Sequence, residues 1–258
     1  LPPGFSDLDP RDQASILRKG REAQFDAAVQ RVLAHEHYSL VHGLLASLPV
    51  HESVTTNFDN LFEAAAKTPG RSLAVIPGQD ATSASRWLLK LHGTLGKNLV
   101  LTRDDYLGAS SSHAALRGLV QAMLLTRQML FVGYSLSDED FHQLVHEVRL
   151  ALGGSTSVRF GTVLALSPAP YLELLWEELT IVSMANHRPS IPAGDFAGAG
   201  RRLAIFLDRI GSRAASDVAF IASDRMGALD ADDERRLAQI VEELQSMAAG
   251  RAATEWAE

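Results

Sequence analysis

Short apolar runs rich in β-branched residues alternate with segments of helical periodicity along most of this chain, and that alternation limits what it can fold into. Ser53–Thr56, Leu73–Ile76, Trp87–Leu91, Met129–Val132, Phe160–Leu166 and Thr180–Val182 read as buried strands. Between them, residues 11–35, 38–47, 60–67, 113–127, 169–177 and 197–210 place apolar side chains on one helical face. Leu99–Leu101 reads as a further pairing segment, and Thr102–Tyr106 as a polar turn after it. Strands that alternate with helices in this way predict an α/β fold: a Rossmann-like, doubly wound parallel sheet with helices on both faces. Residues 1–210 form that domain, and residues 211–258 read as a helical tail or linker with helices near 214–224 and 231–248.

The bulk numbers narrow the function. With 24 basic against 31 acidic residues, the net charge is −7, which argues against direct nucleic-acid binding. The sequence has neither an apolar run of membrane-spanning length nor a signal-peptide pattern, so no membrane contact and a cytoplasmic location are expected. The 258 residues contain no cysteine, which excludes disulfides and thiolate zinc sites.

Three stretches carry chemistry. Thr55-Thr56-Asn57-Phe58-Asp59, Lys90-Leu91-His92-Gly93 and Gly133-Tyr134-Ser135-Leu136-Ser137-Asp138-Glu139-Asp140 each follow a predicted strand. Each has a bland reading: helix capping by Asn57 or Asp59, a structural His92, and a capping box between Ser137 and Asp140. All three nevertheless fall at the carboxyl ends of strands of one open sheet, where ligands bind at the point of reversed winding. His35-Glu36-His37 is a poor metal site, since two positions apart on a helix point to different faces. The acidic run 230–234 suits a helix start, and Gly198-Ala199-Gly200 a helix entry without a preceding strand.

Together the three stretches, with Val100–Tyr106 after the histidine, resemble the sirtuin-like NAD hydrolases of bacterial antiphage defence. The resemblance covers roughly residues 1–210 and implies that NAD is the substrate, cleaved to nicotinamide and ADP-ribose. It implies Asn57 and His92 as the catalytic pair, and Thr56, Asp59, Gly133, Tyr134, Ser135 and Asp138 as cofactor-binding residues, with Thr55 beside them. No metal, and in particular no zinc, is expected. A homo-oligomer, or a regulatory partner or second domain in a defence complex, is implied as the means of control. The family opens with a strand and a glycine-rich phosphate loop that are not found here; with Leu1 as first residue, the chain reads as truncated. Two alternatives stay open: an NAD-dependent protein deacylase, disfavoured without zinc-binding cysteines, and a non-catalytic sensor of NAD or ADP-ribose.

Overall fold

The structure, a computed structural model, describes residues 1–215 apart from 2, 36, 68–71, 98, 154–157, 168, 169, 186–191 and 193. The chain divides into a unit Leu1–Arg209 and a second unit Ile210–Glu258. The tail helix predicted at 231–248, the acidic run 230–234 and all but the first two residues of the helix predicted at 214–224 lie outside the described residues.

The first unit opens with three helices: α1 (Pro10–Arg18), α2 (Glu22–Leu33) and α3 (Leu40–Ser47). Asp9 caps α1 through its side chain, and Pro10 takes the first helical position, where a missing N–H costs nothing. Next come β1 (Glu52–Thr55), α4 (Leu61–Ala66), β2 (Leu73–Ile76) and β3 (Arg86–Lys90). Then follow α5 (Arg103–Ser112), α6 (Ala114–Thr126), β4 (Met129–Val132), α7 (Glu139–Ala151), β5 (Gly161–Ala165), α8 (Pro170–Leu175), β6 (Leu179–Ser183) and α9 (Phe196–Ala215).

Every strand pair is parallel, in the orders β1-β3-β2 and β4-β5-β6. The α/β, Rossmann-like class expected from the alternation is therefore observed, but the ladders form two three-stranded sheets and not one continuous sheet. The strand order reverses between β1 and β4, and there the two inner edges stand apart across a groove of about 840 Å³. Consecutive residues of both strands line it, from Glu52 to Thr55 and from Met129 to Val132, so it follows backbone edges and not one face of either strand.

The core explains why the strands read as unbroken apolar runs. Leu89 of β3, Val163 of β5 and the helix residues Leu124, Leu144 and Val145 are sealed from solvent in one cluster with Phe131, Phe141 and Trp176. Strands covered by helices have no wet face on which to alternate.

Three local readings change. Leu99–Leu101 forms no strand; Val100 donates its N–H to the His92 carbonyl at 3.0 Å and holds the segment extended. Thr102–Tyr106 is the start of α5 and not a free turn. Thr102 Oγ1 accepts from the Asp105 N–H, and the Asp105 carboxylate accepts from the N–H of Thr102, a capping box that satisfies two helix-end donors. His35 and His37 lie in the coil between α2 and α3, both exposed, rather than on a helix. Gly198–Gly200 lies in the first turn of α9, consistent with a helix entry.

Candidate active site

The parallel register Thr55↔Lys90 puts the ends of β1 and β3 side by side. Leu91 donates its N–H to the Thr55 carbonyl at 2.9 Å and carries the pairing one residue further. Asn57 and His92 follow on these neighbouring strand ends. Asn57 is exposed and lines the groove with Thr55, Thr56 and Asp59 on one wall; Gly133 and Tyr134, after β4, line the other. His92 is buried, with the Phe58 ring 6.5 Å away and the Tyr106 ring 5.4 Å away, edge-on.

Lys90 fixes the loop that carries Asn57. Its ammonium is completely buried and donates to Glu63 Oε1 at 2.7 Å, to the Phe58 carbonyl at 3.2 Å and to the Asp59 carbonyl. Asp59 Oδ1 accepts from the Leu61 N–H at 3.0 Å, so that side chain serves the start of α4. The Thr55 hydroxyl accepts from the Asn57 N–H at 3.1 Å and sets the turn out of the strand.

The third motif is arranged differently from its reading in sequence. Ser137 does not cap α7. Asp138 does, accepting from the Asp140 N–H at 2.9 Å, while Ser137 pairs with the exposed Ser135 hydroxyl at 2.6 Å. A cap one residue later lets Asp138 and Asp140 both reach inward. Gly133 turns the chain at φ 65°, a conformation glycine adopts without strain, and Leu136 is forced to φ 59° while buried.

His92 Nε2 lies 3.6 Å from Asp138 Oδ2 and 3.5 Å from Asp140 Oδ2, sealed from solvent and too far from either for a good hydrogen bond. Asp140 Oδ1 accepts from buried Arg117 at 3.2 Å. Burial alone would raise the Asp140 pKa, but His92 and the Arg117 charge outweigh it and hold the carboxyl below its ordinary range. The phenol of Tyr106 is pushed up to about 12 by burial and by the charges of Asp138 and Asp140. Burial and the same charges raise Tyr134 as well.

His92, Asp138 and Asp140 are also the residues that could hold a metal, since among the described residues their ligand atoms lie within 4.8 Å of one another. One imidazole and two carboxylates suit a hard or borderline cation. Arg117 already brings a positive charge to that carboxylate pair, which weakens its pull on a second cation.

Asp140 was readable only as a helix cap, and Arg117 drew no notice, although a lone arginine in register with the apolar Val120 and Leu124 signals a buried charge with a partner. Of the residues expected at the site, Thr56, Asn57, Asp59, Gly133 and Tyr134 share the groove, His92 and Asp138 meet behind it, and Ser135 faces its neighbour Ser137.

Residues 51–182, from the approach to β1 to the body of β6, match the SIR2-like domain family. The chain belongs to this family. The chain is 36% identical over 115 residues to defense-associated sirtuin 2 of Bacillus subtilis, a match covering 41% of this chain and 11% of that protein. It is 31% identical over 119 residues to the NAD(+) hydrolase ThsA of Enterococcus faecium, covering 43% of this chain and 25% of that one. Against the NAD(+) hydrolase ThsA of Cytobacillus dafuensis it is 24% identical over 160 residues, 57% of this chain and 31% of the other. The chain thus spans less than a third of the length of each. Among the described residues of the SIR2-like domain, no helix is long and apolar enough to cross a membrane.

Proposed function

We propose that this SIR2-like domain is an NAD glycohydrolase that cleaves the bond between nicotinamide and ribose, giving nicotinamide and ADP-ribose. The observation that carries the reading is the placement of Asn57 and His92 on the adjoining ends of β1 and β3, at the point where the strand order reverses. Cleavage passes through an oxocarbenium-like state, and nicotinamide leaves as a neutral pyridine. No general acid is required. The need is for a group that orients the incoming water or a ribose hydroxyl, and for a base that takes its proton. Asn57 can donate and accept for the first task, and His92 suits the second. Thr56, Asp59, Gly133, Tyr134, Ser135 and Asp138 belong to the cofactor site in this proposal. Gly133 admits the dinucleotide closely because no side chain stands in the way.

Relatives named as NAD(+) hydrolases and as a defense-associated sirtuin support both the chemistry and a role in depleting NAD during antiphage defence. Control by a homo-oligomer, a partner or a second domain is part of the same proposal. The test is NAD consumption with chromatography of products, for this chain beside its Asn57→Ala and His92→Ala variants. Release of nicotinamide that both substitutions abolish is the expected result. NAD bound tightly but never cleaved would overturn hydrolysis and favour a sensor. Nicotinamide released only with an acylated peptide would favour a deacylase.

A further inference from the structure

The geometry points to Asp138 and Asp140, with Arg117 behind them, as positioning residues that face His92 Nε2 and keep its proton there, so that Nδ1 is its working nitrogen. This rests on the hydrolase reading for its chemical use, though the arrangement itself stands on contacts alone. Each carboxylate commits one oxygen to a structural donor: Asp138 Oδ1 to the Asp140 N–H, and Asp140 Oδ1 to Arg117. The second oxygen of each is aimed at the same ring atom, at 3.6 and 3.5 Å. Nε2 is sealed in this crook and has no hydrogen-bond partner among the described residues. A ring nitrogen between two carboxylates keeps its proton, which leaves the lone pair on the other nitrogen.

The groups around the ring agree with this division. From α7 it meets Asp138 and Asp140; behind them, α6 brings Arg117, paired to Asp140, and His113, whose charge also acts on Asp140. The Tyr106 ring of α5 lies against it edge-on, and the Phe58 ring stands on the side of the loop that carries Asn57. Among the described residues, no acceptor other than the two carboxylates competes for Nε2. In the hydrolysis step, a water oxygen forms its bond to the anomeric carbon while the bond to the pyridinium nitrogen breaks. The bonding pair leaves with neutral nicotinamide, and the water proton passes to Nδ1. The charge gained by the ring then faces Asp138 and Asp140 at short range. It is an arrangement in which carboxylates behind a histidine fix its tautomer and face the charge it acquires.

The test reads the tautomer directly. Long-range proton–nitrogen NMR of histidine-labelled protein, with His92 assigned by its loss in His92→Gln, is expected to show Nε2 protonated and Nδ1 bare. In Asp138→Asn/Asp140→Asn that preference should disappear, and kcat for NAD cleavage should fall by about 10²–10³, since a well-placed general base is worth roughly that much. Asp138→Asn alone keeps the α7 cap, because asparagine caps as well as aspartate. It should lower kcat about tenfold and change the pH profile of kcat, which serves if the double variant does not fold. A wild-type ring protonated at Nδ1 would overturn the proposal, and so would variants that keep both tautomer and kcat. Should the wild type never cleave NAD, the hydrolase reading fails, and the tautomer still decides this one.

Discussion

Replacing Lys90 with methionine removes the one charge that β3 buries completely, and the cost can be worked from its contacts. Lys90 Nζ is the donor for Glu63 Oε1 at 2.7 Å, for the Phe58 carbonyl at 3.2 Å and for the Asp59 carbonyl. Methionine fills the stem but donates nothing. Glu63, with a side chain only 15% exposed, then loses its counter-charge, and two carbonyls lose a donor. Removing one partner of a buried pair costs about 3–5 kcal/mol. Because Glu63 retains a path to solvent, the expectation is the lower end, about 3 kcal/mol, a large share of a domain's ~5–15 kcal/mol. Urea denaturation at neutral pH measures it, with an unchanged m value showing that the unfolding reaction is the same. Adding Glu63→Leu removes the stranded carboxylate, so the double variant should recover about 1–3 kcal/mol of that loss. A loss below about 1 kcal/mol for Lys90→Met alone, at constant m, would refute the claim that this ammonium pins the loop after β1.

Further expectations follow from caps, space and charge. Thr102→Ala removes the side-chain half of the capping box at α5 and should cost about 1 kcal/mol by the same assay. Gly161→Ala drives a Cβ into the Met129 backbone at φ 152°, where β5 meets β4, and should destabilise by well over ~1 kcal/mol. Acid should unfold the protein through its depressed carboxyls. Glu178 is lowered by the hydrogen bond from Arg149, and in Asp105 and Asp140 burial is outweighed by donors and positive charge. A depressed folded-state pKa contributes stability that is complete above the unfolded value, about 4, and is lost as pH falls through the folded value. Urea midpoints should therefore hold between about pH 5 and 7 and drop below about 4, with a shallower drop in Glu178→Gln.

The strands were legible because helix-covered strands are mostly apolar; Leu73–Ile76 and Met129–Val132 match β2 and β4 end to end. Helix α5 was not, since Arg103-Asp104-Asp105-Tyr106 offers no apolar stripe. Its signal was Thr102 three residues before Asp105, a capping pattern hidden inside an apparently polar turn. The same kind of near miss placed the α7 cap at Ser137 when Asp138 holds it. At the site, motif spacing put Asn57, His92 and Gly133 at strand ends. It could not show that Arg117, Asp140 and His92 meet, because α6, α7 and the β3 terminus come together only through tertiary packing. Nor does a pattern of residue types reveal that β1 and β4 leave their facing edges unpaired.

That unpaired seam has a mechanical consequence. Met129 donates to Phe160 and Trp87 to His51, so alternate residues of β4 and β1 are bound to their own sheets, while Val54, Leu130 and Val132 turn their peptide groups to the groove. Among the described residues, no backbone ladder crosses from the half that holds Asn57 and His92 to the half that holds Gly133 and Tyr134. Side chains join the halves: Leu89 and Leu91 pack with Phe131 and Leu144 in one apolar cluster, His92 faces Asp138 and Asp140 at one end, and Arg127 pairs with Glu52 at the other. Sliding one half past the other breaks no peptide hydrogen bond described between β1 and β4, so the width of the groove answers to side-chain packing and to the Arg127–Glu52 pair. The exposed Arg127 pair weakens with added salt, whereas the sealed apolar cluster does not. Ionic strength then acts on the cleft as a loosening of one clasp and not the other.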